Sequence, residues 1–414
     1  MFALLNYQST CIQTINYLLK TSCMAASMNR RKWLKASALL TGSLPLIPGT
    51  LSSLSLSAAP HTNGIQYSES QSDAEYFEAA PPEIRARLSA NENPFGPSEK
   101  AKKAIEEALS TSYQYPFAYT RQLEDKITAF EGLQKGYVMT AAGSSPLLLA
   151  AALYYSKNNG TIITGDPSYD DLTSHAAAVG AKLKKVPLTP EYKLDLDAME
   201  KAIDASTTLI YICNPNNPTG TVLDTDKLKA FCERVSKKVP LFIDEAYIDY
   251  MPDPQATTLM DGVKKGQNII VARTFSKLYG FAGLRVGYIV SQPEILKNLR
   301  MYTPGSMSIS APSIRAALAA YQDKEFMQDA LRKTFASREF LYKTLKEEDY
   351  EAIPSSANFV MFPLRMEGQR FIQEMANKGV GVRQWKFVGK DWCRVSIGRM
   401  DEMQAFADAF KTLS

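Results

Sequence analysis

The chain from residue 85 onward predicts an α/β fold: a mostly parallel sheet flanked by helices, with a smaller α+β part built from the N- and C-terminal stretches. Three observations predict it. Six short β-rich runs recur: "YVMTAAG" (137–143), "TIITGDP" (161–167), "LIYICNP" (209–215), "LFIDEAY" (241–247), "IIVARTFSK" (269–277) and "VGYIV" (286–290). Most are separated by amphipathic segments of helix length. Each of the first five ends in a polar, Gly- or Pro-containing turn. In an open parallel sheet the carboxyl ends of the strands line one crevice where ligands bind, so these turns are expected to converge.

In chain order, residues 1–57 read as an upstream segment and an export signal. The stretch "MNRRKWLKASALLTGSLPLIPG", from Met28, has a paired arginine and then a weakly apolar run broken by glycine and proline. It resembles a twin-arginine export signal, which implies handling by twin-arginine export machinery and a periplasmic or otherwise exported location. A basic amphipathic tail is the competing reading, under which the protein stays cytoplasmic. The apolar run is too interrupted for a membrane span, which needs roughly 18 unbroken apolar residues. Small residues at 55 and 57 place a cleavage point after Ser57. Residues 58–84, rich in Ser, Ala, Glu and Pro, read as a linker. Residues 85–120 form an N-terminal arm and part of a small domain, 121–295 the large domain, and 296–414 the rest of the small domain. In the last, "SIRAALAAYQDKEFMQDALRKTFASREFLYKTL" has helical periodicity and few breakers.

Composition bounds the function. A chain of 414 residues, 45% hydrophobic, can bury a full core and carries two structural parts. Residues 1–57 hold Lys20, Arg30, Arg31, Lys32 and Lys35 and no acid, so the formal charge of +4 less these five leaves the rest at −1. A near-neutral body excludes nucleic acid as the main partner, because binding a phosphate backbone needs a clustered basic face. Cysteines at 11, 23, 213, 232 and 393 form neither a disulfide framework nor a zinc motif, and no metal site is expected. The two histidines, His61 and His175, fall in a tail and a helix, where surface or packing roles suffice.

The turns carry the chemistry. Gly143-Ser144-Ser145, ahead of a helix from Pro146, offers hydroxyls and free N–H groups to an anion. Ser276 and Arg285 add a hydroxyl and a charged fork, so the anion is most simply a phosphate. Asp244 at a strand end is a costly buried carboxylate unless it meets a cation. Tyr169 supplies a flat aromatic face, and Asn217 and Tyr247 supply donors for a phenolate-like oxygen. Lys277 in "RTFSKLYGFAGLRVGY" supplies an amine that forms Schiff bases when burial and positive neighbours lower its pKa. Phosphate, pyridinium, phenolate and aldehyde together describe pyridoxal 5'-phosphate.

From "LSANENPFGPS" (88–98) to "CRVSIG" (393–398) the chain resembles the fold-type I, class I/II pyridoxal-phosphate aminotransferases, closest to their histidinol-phosphate aminotransferase-like branch. The resemblance implies a Schiff base on Lys277, with Asp244 on the pyridine nitrogen, Asn217 and Tyr247 on the ring oxygen, and Tyr169 stacked on the ring. It places Ser144, Ser145, Ser276 and Arg285 on the phosphate, joined by Tyr115 of a neighbouring subunit in a homodimer. It makes Arg394 the clamp on the substrate α-carboxylate, puts Asn91 and Asn358 in the pocket lining, and gives Arg383 the substrate's distal group. The implied substrates are small: an L-amino acid or related amine and a 2-oxo acid. The 121–295 part becomes the large cofactor-binding domain.

Two features depart from that pattern. The phosphate loop is "GSSPLL", where the histidinol-phosphate enzymes usually carry an acidic or amide residue and a glutamate. Position 95 is phenylalanine, where a substrate-touching tyrosine is frequent; its missing hydroxyl removes one hydrogen bond to substrate. Three alternatives stand beside amino transfer: a decarboxylase of the same fold, which would keep every cofactor residue, a racemase or lyase, and a non-catalytic binding protein on the scaffold.

Overall fold

The computed structural model describes residues 83–413. The twin-arginine-like segment, the cleavage point after Ser57, the linker through residue 82, His61, Cys11 and Cys23 lie outside the described residues.

In chain order the strands are β1 (Ala86–Arg87), β2 (Val138–Ala141), β3 (Thr161–Asp166), β4 (Lys182–Pro187), β5 (Thr207–Cys213), β6 (Leu241–Asp244), β7 (Ile269–Thr274), β8 (Gly287–Val290), β9 (Phe359–Pro363), β10 (Val380–Gly381), β11 (Arg383–Phe387) and β12 (Lys390–Ser396). A seven-stranded sheet has the order β2-β8-β7-β6-β5-β3-β4. From β4 to β7 all neighbours are parallel, and β8 runs antiparallel to both β7 and β2. The fold is α/β with a mostly parallel sheet, and all six runs read from the sequence are strands of it.

The central strands segregate their side chains by alternation. Ile210, Ile212, Ile243, Ile269 and Val271 enter one core cluster, while Leu209, Tyr211, Phe242, Ile270 and Ala272 enter another. Successive side chains on a strand point to opposite faces, so both faces of the sheet are covered by helices. Each large apolar side chain removed from water contributes about 1.5–3 kcal/mol. β4, "KLKKVP", is the strand of this sheet absent from the sequence reading, as are the short strands outside it. It lies at the sheet edge, where lysines and a terminal proline discourage further pairing and mask the apolar signal.

The remaining strands make an antiparallel sheet, β11-β12-β9, and a short parallel pair, β1-β10. The chain ends are stitched together by Arg85 N–H to Gly379 O (2.9 Å) and Ser396 N–H to Leu88 O (2.8 Å). The long helical stretch near the C-terminus is two helices, Ala311–Ala320 and Lys324–Glu347. They break at Gln322, whose φ of 64° no helix accommodates.

Candidate active site

The polar residues gather where the strands of the large sheet end. Asp244 closes β6 beside Cys213, the last residue of β5. Its carboxylate is 2% exposed. The Tyr211 hydroxyl donates to Oδ2 at 3.0 Å and the Ala246 N–H to Oδ1 at 3.1 Å. Burial pushes its pKa up to about 6, against the pull of those two bonds and of Lys277. Lys277 lies just past β7, with Nζ 5.3 Å from the centroid of the Tyr247 ring. The residue as a whole is half-buried. Burial of the amine, then the charges of Arg394 and Arg285, bring its pKa down to about 8 against Glu92 and Asp244. A lysine so placed has a usable fraction of neutral, nucleophilic amine near neutral pH.

An anion cup forms at the other rim. Gly143, at φ 85°, turns the chain from β2 into the helix Ser145–Tyr155, and a Cβ there would collide with the Arg285 guanidinium. Gly287 must also be bare, since a Cβ would stand 2.6 Å from the Ser144 nitrogen. Arg285 Nη1 donates to Ser276 Oγ at 3.3 Å and to the Ala282 carbonyl at 2.9 Å. Thr274 donates its hydroxyl to Ser276 Oγ at 3.0 Å and accepts the Ser276 N–H at 3.1 Å. Ser145 and His175 both act to lower the pKa of Asp171, which burial raises.

Tyr247 and Asn217 are set to donate. Asn91 Nδ2 donates to the Tyr247 oxygen at 3.0 Å, leaving the phenol proton for another acceptor. Asn217 Oδ1 accepts from Arg394 Nη1 at 2.6 Å, which leaves its NH₂ as the free end. Asn91 is held in turn by Ser396, whose hydroxyl accepts the Asn91 N–H at 2.7 Å and donates to Oδ1 at 2.9 Å. Asn358 Nδ2 donates to the Asn91 and Glu92 carbonyls at 2.9 and 3.1 Å.

Arg394 is 2% exposed. Its Nη2 donates to the Ser89 carbonyl at 2.8 Å, and its Nε has no partner. Burial, then the charge of Arg383, bring its pKa down to about 10. Among the described residues no carboxylate is paired with it. Tyr169 is partly buried against the second core cluster. Burial, then the nearby charges of Asp171 and Asp244, push its pKa up. Arg383 lies over the Trp385 ring at 5.9 Å. Tyr115 stands apart: it is 74% exposed and its ring contact is with Phe117, 5.5 Å away.

Sequence reading missed Tyr211, Thr274, Ser396 and Trp385. Tyr211 and Thr274 sit inside quoted strands and Ser396 inside "CRVSIG", but a hydroxyl in a β-run carries no signal until its partner is known.

The residues present fit pyridoxal phosphate. The cup of Gly143, Ser144, Ser276 and Arg285 suits a dianionic phosphate. Asp244 is a buried acid that would suit a protonated ring nitrogen, the Asn217 amide and Tyr247 hydroxyl keep donors that would suit the ring oxygen, and Lys277 is an amine that would suit the aldehyde. Among the described residues no group of acids, histidines and cysteines is arranged to hold a metal ion.

Comparison with known proteins agrees. The sequence profile of the family "Aminotransferase class I and II" matches residues 84–410. A histidinol-phosphate aminotransferase of Moorella thermoacetica is 32% identical over 330 residues, 79% of this chain and 85% of that protein. An aromatic amino acid aminotransferase of Mycolicibacterium vanbaalenii is 34% identical over 321 residues, 77% of this chain and 90% of that protein. The crystal structure of histidinol-phosphate aminotransferase from Sinorhizobium meliloti in complex with pyridoxal-5'-phosphate superposes with a TM-score of 0.73 at 25% identity, covering 80% of this chain and 92% of that one. With an acid, an amine and an anion cup at the ends of one parallel sheet, the chain belongs to the class I and II aminotransferases, histidinol-phosphate aminotransferase-like, and is a pyridoxal-phosphate-dependent transaminase.

Proposed function

We propose that the protein moves an amino group between an L-amino acid or related amine and a 2-oxo acid, with Lys277 as both the anchor of the cofactor and the base that moves the substrate proton. The observation that carries this is Lys277: a half-buried lysine just past β7, its pKa brought down to about 8, near the buried acid Asp244. Bound pyridoxal phosphate supplies an electron sink for the substrate carbon.

Asp244, oriented by Tyr211 and Ala246, would hold the ring nitrogen protonated. Asn217 and Tyr247 would donate to the ring oxygen, and Tyr169 would cover the ring. Ser144, Ser145, Ser276 and Arg285 hold the phosphate, with Tyr115 of a second copy completing the cup; the exposure of Tyr115 within one protomer supports that homodimer. Arg394 takes the substrate carboxylate, Asn91 and Asn358 frame the pocket, and Arg383 meets the distal group. Lys277 would take the proton from the substrate Cα and would return it at the cofactor's exocyclic carbon. Residues 121–295 form the cofactor domain in this reading, and 85–120 with 296–414 the small domain. The twin-arginine route to the periplasm accompanies it, and loading the cofactor before export suits a route that carries folded proteins.

The test is the visible spectrum of the purified protein before and after a panel of amino donors, with the product analysed. The similarity to a histidinol-phosphate aminotransferase and to an aromatic amino acid aminotransferase puts histidinol phosphate and aromatic amino acids on that panel. A visible cofactor band that bleaches with a matching keto product supports amino transfer. Carbon dioxide as product turns the reading to decarboxylation, and no band after cofactor is supplied sinks it. Sedimentation reads the dimer, and N-terminal sequencing of the periplasmic fraction reads the export.

A further inference from the structure

β11 pairs with β12 in a register that sets Arg383 opposite Arg394 and Trp385 opposite Trp392. Side chains of one strand alternate between faces, so Arg383, Trp385, Arg394 and Trp392 share one face of this small sheet. The guanidinium carbons of Arg394 and Arg383 stand 5.8 and 5.9 Å from the Trp385 ring centroid. The ring is packed in place by the cluster of Ile353, Met361 and Trp392.

Two donors on this face are buried without a hydrogen-bond partner: Trp385 Nε1 and Arg394 Nε. Buried indole N–H groups usually have a partner, and an unsatisfied one costs about 1–3 kcal/mol. Both of these groups can only donate. Arg394 spends its other nitrogens on Asn217 Oδ1 and the Ser89 carbonyl. What suits such a face is an anionic, planar acceptor with more than one oxygen, which is a carboxylate.

We propose that Trp385 is a specificity-determining residue of the active site: its indole N–H donates to a carboxylate oxygen of the substrate, beside the Nε–H of Arg394. The inference rests on the transaminase reading of the site and adds to it a donor outside the residues that hold the cofactor. The carboxylate comes either from the α-position or from the far end of an acidic side chain.

The test uses the cofactor-loaded enzyme and Trp385→Phe, which keeps an aromatic ring and removes the N–H. Binding of three unreactive probes is read from the shift of the visible cofactor band: propionate, succinate and N,N-dimethylpropylamine, a tertiary amine that cannot form a Schiff base. The proposal expects the variant to bind carboxylate roughly tenfold or more weakly, the loss set by one hydrogen bond to a charged group, with the tertiary amine within twofold. Weakening of both acids assigns the α-carboxylate, and weakening of succinate alone assigns a distal one. Unchanged acids, or an equal loss for the tertiary amine, overturn the proposal, since a packing role would move all three. In the unmodified holoenzyme, where the chain has only 3 tryptophans, the Trp385 indole N–H resonance is expected to move downfield on saturation with succinate; a resonance that stays still overturns the proposal even where the variant does not fold. A wild-type protein with no cofactor band and no amino transfer counts against the transaminase reading itself; a working enzyme indifferent to Trp385→Phe counts against Trp385 alone.

Discussion

Two buried arginines show opposite solutions to the same problem. Arg273, on β7, donates to Glu131 Oε1 and Glu245 Oε2, each at 3.0 Å, and to Thr258 at 2.8 Å. Arg394, on β12, is equally deep and is paired with no acid among the described residues; it rests on an amide oxygen and a carbonyl. The networks begin at chain neighbours: Glu245 follows Asp244, and Arg273 on β7 precedes Lys277 by four residues. Removing charge from water is costly unless it is paired. Where the chain supplies the counter-charges, as around Arg273, the arrangement tethers strand ends; where it withholds them, as around Arg394, the counter-charge is left to a substrate.

The largest break in that comparison is Lys277→Ala. It is expected to abolish the visible band of lysine-bound cofactor and to lower turnover by about four orders of magnitude or more, with thermal unfolding little changed. Next comes the pair of arginines. Arg273→Ala strands two buried carboxylates and is expected to cost about 3–5 kcal/mol in a denaturant titration. Arg394→Ala instead is expected to leave stability within about 1 kcal/mol and to raise the KM for the 2-oxo acid roughly a hundredfold. If both variants lose stability alike, the contrast between the two sites collapses.

A finer test follows the proton. In the cofactor-free protein the neutral amine of Lys277 grows as pH rises through about 8, so the rate of cofactor uptake is expected to climb through that region. Arg394 is the largest charge lowering this pKa. Arg394→Gln is therefore expected to move the rising limb to higher pH, and a limb that stays or falls contradicts the assigned coupling. The smallest effect is at the rim of the anion cup. Thr274→Val removes two bonds to Ser276 and is expected to weaken cofactor retention several-fold, about 1 kcal/mol, measured by dialysis against a competing apoenzyme.

Much of this was legible before any coordinates. The β-rich runs located six strands because the parallel strands, and with them the antiparallel β2 and β8, are buried almost throughout and read as continuous apolar stretches. Lys277, Asp244, Asn217 and Tyr247 were marked because each closes or directly follows an apolar run, and Arg285 because it stands just ahead of one as a charged fork. β4 did not, because an edge strand half-exposes its lysines, and the helix break at Gln322 did not, because a glutamine gives no warning of a left-handed turn. Tyr211 and Trp385 were hidden for another reason: both are aromatic residues in strands, and their composition is the same whether their polar atom is satisfied, oriented or free.

The chain's own order of residues thus determined the alternation of strands and helices and the chemical types at the strand ends, since hydrophobic periodicity and turn chemistry act over short distances. Tertiary structure alone decided which of those groups meet. Arg394 reaches Asn217 across 177 residues and Asn91 reaches Tyr247 across 156. Whether a buried charge is neutralised by the protein or left for a ligand depends on contacts of that range, and local sequence does not encode them.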